Sequence, residues 1–158
     1  VTKLQSEGYS LEDQVTEFHE MAPAPIGRTP RTLSPERLKL RLNLIAEEVL
    51  ELYEACGADP MMLKPLKSLL HRISETYLKA PQYLPEVVDA LADIDYVVMG
   101  MRVEMGVSSA PIADEVHSAN MRKMGGPIRA DGKKLKPEGW TPPNILAKLV
   151  DQGWEAKP

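Results

Sequence analysis

Ser34-Pro35-Glu36-Arg37-Leu38-Lys39-Leu40-Arg41-Leu42-Asn43-Leu44-Ile45-Ala46-Glu47-Glu48-Val49-Leu50-Glu51 begins like a helix start and ends in a cluster of acids. Ser34 has the hydroxyl of a good N-cap, Pro35 suits the first helical position, and Glu36 puts an acid in the first turn. At ~100° per residue, Leu38, Leu42, Ile45, Val49 and Leu52 fall on one side and predict a core stripe. Glu47, Glu48 and Glu51 lie off that stripe, beside Leu40 and Leu44. The helix should run to about Cys56, with Gly57 as its stop.

The same punctuation organises the rest of the chain. Ser10 can cap a first helix, Leu11 to Met21, which leads into the Pro-rich connector APAPIGRTPRTLS. Residues 61–79 form a weaker helical stretch, interrupted near Pro65. Pro85 opens a helix that runs to about Met105 and stops at Gly106. On it, Val87, Leu91, Ile94, Val98, Met101 and Met105 make a second apolar stripe, with Glu86, Asp89, Asp93, Tyr96 and Gly100 opposite. Ser109 should cap a further helix, closed by Gly125-Gly126 after Met124. Asp131-Gly132 between two short runs reads as a hairpin or turn. Thr141-Pro142 then starts a last short helix. The expectation is one all-α domain over 1–158, with 1–33 as helix and connector and 125–158 as a hairpin-like tail.

Composition narrows the function. The chain has 158 residues, a net charge of −4 and a single cysteine, which excludes an internal disulfide framework and a Cys-rich zinc site. No basic block suggests a nucleic-acid partner. No apolar run reaches the ~18 residues of a membrane span, and the first residues lack a signal-peptide core. A cytosolic protein is the default expectation, in the host's cytosol if the chain is viral.

The acids carry the chemistry. Like charges at i and i+4 repel on a helix, and no Lys or Arg stands three or four residues from Glu47 or Glu51 to relieve them. Such a cluster wants a cation. Hard divalent ions take oxygen ligands, and Mg²⁺ links carboxylates to substrate phosphates. A facing helix with Asp93 would complete the set. The Glu-x-x-His pairs of a carboxylate-bridged iron bundle are missing, and only Asp114 to His117 comes near. Downstream, Asn120, Arg122, Lys123, Arg129, Lys133, Lys134 and Lys136 supply the positive groups that a polyphosphate needs. They interleave with turn residues and Trp140, which predicts an ordered flap.

These residues resemble a known family. Glu47-Glu48-Val49-Leu50-Glu51 is similar to the EExxE motif of the MazG-like all-α nucleoside triphosphate pyrophosphohydrolases. The segment from Leu91 to Gly100 resembles their second motif helix. The segment from Glu115 to Lys123 and the run RADGKKLKPEGW from Arg129 to Trp140 resemble the phosphoribosyl-ATP pyrophosphohydrolase-like branch, as does Glu17-Phe18-His19. That branch includes MazG-like dUTPases and the MazZ-type dGTP pyrophosphohydrolases of phages.

The resemblance implies a MazG-like helical bundle that cleaves a (d)NTP, with dGTP and dUTP as candidates, to the monophosphate and pyrophosphate. It implies two or more Mg²⁺ or Mn²⁺ ions on Glu47, Glu48, Glu51 and Asp93, with Glu47 or Glu48 orienting the attacking water. Asn120 and Lys123 would meet sugar and phosphates, with Arg129 and Lys136 as secondary phosphate candidates. Tyr96 would lie alongside the substrate, and Phe18 and His19 would border the base. A homodimer or homotetramer is the implied assembly. Two positions depart from the family pattern. Ala90 stands where its second motif has Glu, with Asp89 and Glu86 nearby. Asp95 stands where an apolar residue is usual, and its simplest partner is Arg102 or a group on a partner subunit. The alternative is a catalytically impaired nucleotide-binding or structural helical module.

Overall fold

The computed structural model describes residues 9–78 and 81–155. Val1 to Gly8, and the expected end of the third helical stretch at Lys79, lie outside them. The chain is all-α. Its helices are α1 (Leu11–Met21), α2 (Pro35–Ala55), α3 (Pro60–Arg72), α4 (Leu84–Glu104), α5 (Ser109–Met121) and α6 (Ile145–Val150). The chain packs as two compact units. One comprises 1–29, 88–129 and 134–158, and the other 30–87 and 130–133.

In the unit built on α2, Ser34 caps as expected, its hydroxyl accepting from the Arg37 amide. Gly57 follows the helix at φ +95°, a left-handed conformation that a side chain would resist. Gln82 clamps the entry: its Oε1 accepts from the Leu33 amide at 3.2 Å and its Nε2 donates to the Leu33 carbonyl at 2.7 Å. α2 packs on α3 and on the π-helical turn Ile73–Tyr77 that prolongs it. Asn43 Oδ1 takes the buried Ser74 hydroxyl at 2.6 Å.

The buried side of α2 differs from the expected stripe. Leu40 and Leu50 are buried, whereas Leu42, Val49 and Leu52 are exposed. The helix has two apolar sides, and α3 covers the one shared with Glu47. Pro65 also does not interrupt α3. Its missing amide would have bonded to Met61 in the first turn, and Met61 is exposed, so water can replace that bond.

In the other unit, α1 starts with a full capping box between Ser10 and Asp13. It lies along α5, joined by two polar rungs one turn apart. Buried Gln14 donates to Asp114 at 2.6 Å, and Glu17 meets His117 Nε2 at 3.1 Å. The N-cap of α5 is Ser108 rather than Ser109, and its backbone N–H is taken by Gln152 Oε1 at 2.7 Å. α5 ends at Met121, one turn before the expected Met124. α6 starts at Ile145 because Asn144, not Thr141, caps it.

The tail is hairpin-like. Ile128 and Lys134 form an antiparallel bridge, and the Leu135 amide donates to the Pro127 carbonyl at 2.8 Å. Gly126 is buried in this turn, and a Cβ added there would stand 2.3 Å from the Leu135 carbonyl oxygen. Trp140 pins the far end of the hairpin to α5, its Nε1 donating to the carbonyl of buried Ala119 at 2.8 Å.

α4 has no buried residue. The expected stripe of Leu91, Ile94, Val98, Met101 and Met105 is exposed, and Tyr96 is 81% exposed. This helix carries apolar residues on more than one side and has no buried residue among the described ones. Asp95 is exposed as well, so no buried charge demands Arg102 as a partner.

Candidate active site

Glu47, Glu48 and Glu51 sit in consecutive turns of α2, in the unit that α2 builds with α3. Their surroundings differ. The Glu47 side chain is 15% exposed, while Glu48 and Glu51 face water. Glu47 lies one turn from buried Leu50 on the side that α3 covers, so the fold turns this glutamate inward. Its Oε2 accepts from Lys133 Nζ at 2.5 Å.

Lys133 comes from the short loop 130–133, which belongs to the same unit. The Lys133 amide donates to Asp131 Oδ1 at 3.1 Å, and this local turn shapes the loop. Gly132 has φ +93° and packs close to Arg37 and Leu40 of α2. Burial, and to a lesser degree the charge of Arg37, lowers the Arg41 guanidinium below its ordinary value.

A cavity of about 260 Å³ opens between α2 and α3 beside Glu47. Asn43 and Glu47 form one wall, and Lys67, Ser68 and His71 face them. Its floor includes Ala46, Leu50 and Leu70. Sequence reasoning passed over the three α3 residues, because nothing in a weak helical stretch marks them out before α3 is packed on α2.

In the other unit, Asn120 and Lys123 do come together. Lys123 Nζ donates to Asn120 Oδ1 at 2.7 Å, as their spacing of one turn predicts. The Trp140 ring lies under two ammonium groups, Lys136 at 4.4 Å and Lys123 at 5.7 Å from its centroid. Arg122, of the same cationic run, is tied to the carbonyls of Thr141 and Pro142, which makes it a strut for the tail. Arg129 is half-buried in this unit. Phe18 and His19 end α1 with ring centroids 6.5 Å apart. The connector doubles back onto them: the Pro25 carbonyl lies 3.0 Å from His19 Nδ1 and the Ala24 amide donates to the His19 carbonyl. Asp93 and Tyr96 are exposed on α4. Asp114 and His117, the nearest approach to an iron motif, are engaged by Gln14 and Glu17 instead.

The donor set suits a hard divalent ion, since its members are carboxylates within one helical stretch. Glu47 already carries one cation, the ammonium of Lys133. Among the described residues, no three His, Cys, Asp or Glu groups converge closely enough to cage an ion by themselves. Glu48 and Glu51 point to water, and Asp93 belongs to the other unit.

The arrangement is an acidic helical turn with one shielded glutamate, in an all-α chain that also offers a cationic tail. The chain as a whole is similar to known proteins. The profile of the phosphoribosyl-ATP pyrophosphohydrolase family matches residues 15–120, and the chain belongs to that MazG-like all-α family. A solved structure from Exiguobacterium sp. 255-15, a protein provisionally described as an NTP pyrophosphohydrolase, is 28% identical with a TM-score of 0.67. The match covers 91% of this chain and 96% of that one. No curated protein matches. No helix of the described residues is long and apolar enough to cross a membrane.

Proposed function

We propose that the chain is a divalent-metal-dependent pyrophosphohydrolase that converts a (d)NTP, with dGTP and dUTP as the candidate substrates, to the monophosphate and pyrophosphate. The observation that carries this reading is the shielded Glu47 at the head of the Glu47/Glu48/Glu51 cluster, in a chain of this family. Glu47, Glu48, Glu51 and Asp93 would hold Mg²⁺ or Mn²⁺, two or more ions in all. Metal held there would polarise phosphate oxygens and sharpen a water nucleophile.

The chain's own groups do the rest. Glu47 or Glu48 orients the water that attacks the α-phosphorus, and the bond to the pyrophosphate oxygen breaks. Lys123, with Arg129 and Lys136, answers the phosphate charge, and Asn120 meets the sugar. Phe18, His19 and Tyr96 border the base. The exposed α4 and the exposed second stripe of α2 support a homodimer or homotetramer, in which another copy covers these sides.

The test is pyrophosphate release from a dNTP panel with Mg²⁺, with Mn²⁺ and with excess EDTA. The expected result is turnover of one or two dNTPs that stops completely in EDTA. Glu48→Gln and Asp93→Asn should each abolish it while the helical circular dichroism stays unchanged. Turnover in EDTA would overturn the metal, and two active variants would move the site. Ala90, in place of the family glutamate, favours the impaired nucleotide-binding module. That reading gains if the folded protein binds nucleotide and releases no pyrophosphate.

A further inference from the structure

We propose that Lys133 is a displaceable counter-ion of Glu47: its ammonium holds the carboxylate until a divalent ion arrives, then moves onto a phosphate oxygen of the nucleotide. The inference rests on the reading of Glu47 as a metal ligand.

Three observations on this unit carry it. The Lys133 Nζ to Glu47 Oε2 contact is 2.5 Å, between side chains that are 28% and 15% exposed. The pair is therefore partly withdrawn from water, which leaves its charges less screened than on an open surface. The loop that brings Lys133 is seated, with Gly132 against Arg37 and Leu40 and the Lys133 amide on Asp131. The contact also joins residues 86 apart in sequence, so the fold has built it.

The chemistry then forces a choice. A divalent ion and an ammonium on one carboxylate repel each other at close range. The ion must push Lys133 away or bind weakly. A lysine is a flexible point charge on a long stem, suited to moving a few ångströms from a carboxylate to a phosphate. The triphosphate brings the negative charge that a displaced Lys133 needs. Ion and nucleotide would thus bind together more readily than the ion alone, and Glu47 would never stand bare beside Glu48 and Glu51. Lys133 is a positioning residue in this scheme until it meets the phosphate.

The experiment uses the full chain as wild type, Lys133→Met, Lys133→Arg and Glu47→Gln. Mn²⁺ binding is followed by electron paramagnetic resonance without nucleotide, and then with the α,β-imido analogues of dGTP and dUTP. Lys133→Met should bind Mn²⁺ alone about ten-fold more tightly than wild type and the analogues about ten-fold more weakly, the scale of one charge-assisted contact. Lys133→Arg should stay near wild type in both. Mn²⁺ affinity that is unchanged or weaker in Lys133→Met overturns the proposal. So does Lys133→Arg behaving like Lys133→Met, because the loop and not the charge would then be responsible. Glu47→Gln separates the two readings. If it binds Mn²⁺ as wild type does, Glu47 is no ligand, and both readings fall. If it loses Mn²⁺ while Lys133→Met changes nothing, the inference about Lys133 alone falls.

Discussion

Lys123 shows what a single side chain can be asked to do. It is held by Asn120 and by the Trp140 face. The end of α5 is electronegative and repels an anion, so a phosphate there needs side-chain cations. Lys123→Ala should lower kcat/KM by a similar factor for every accepted dNTP. The loss of a charge-assisted contact is worth ~1.5–3 kcal/mol, roughly ten- to over a hundredfold. A loss confined to one base would place Lys123 in the base pocket instead. Tyr9 offers a test of a different kind. Its phenol donates to Glu17, and that bond raises its pKa from 10.0 to about 12. The same bond, with a second from His117, holds the Glu17 carboxyl below its ordinary value. Tyr9 thus stabilises the fold below its unfolded value near 10.0, an effect lost as pH rises through about 12. Glu17 stabilises it above the ordinary carboxylate range, an effect lost as pH falls through its lowered value. The difference in tyrosinate absorbance between wild type and Tyr9→Phe should show a late titration. Glu17→Gln should bring it back toward the ordinary phenol range, and an unchanged midpoint would mean that Glu17 does not hold Tyr9.

Among the elements, local chemistry was readable and long-range choice was not. Ser10, and Ser34 before Pro35, fixed two helix starts because capping depends on residues three apart. The start of α6 was misread by three residues, since Thr141-Pro142 and Asn144 are both acceptable caps and only packing decides between them. The side of α2 that faces inward was misread for a related reason. Two apolar stripes compete on that helix, and α3 selected the one with Leu40 and Leu50. The flap was anticipated from Trp140, though not its anchor on Ala119. That anchor can be measured. Trp140→Phe keeps an aromatic ring, though a smaller one, and removes the N–H, leaving the carbonyl of buried Ala119 without its donor. The cost should be about 1–3 kcal/mol, visible as a lower midpoint in urea. The tail should also loosen, with faster exchange of the Leu135 amide. An unchanged midpoint would mean that water replaces the indole freely.

At the scale of the whole molecule, the acidic cluster was legible because three glutamates in one stretch stand out in any sequence. The Lys133–Glu47 pair and the α3 wall of the cavity were not, because they join segments that only the fold brings together. α4 was read correctly as apolar, and most of its stripe is exposed. Its exposed Val97 and Val103 lie off the expected stripe, and a second copy of the chain is the proposed cover. Sedimentation equilibrium should therefore find a dimer or larger species at micromolar concentration. Val97→Glu should shift it toward monomer and make the thermal midpoint depend less on protein concentration. A wild type that is monomeric throughout would remove the assembly. The bare α4 also has a consequence during synthesis. Leu84 to Glu104 leaves the ribosome before the tail does, as a water-facing run of valine, isoleucine and methionine. Until something covers it, that run can stick to any other unfinished chain. Refolding from denaturant should then have an optimum concentration. Too dilute, and the helix waits uncovered; too concentrated, and the chains clump before they match.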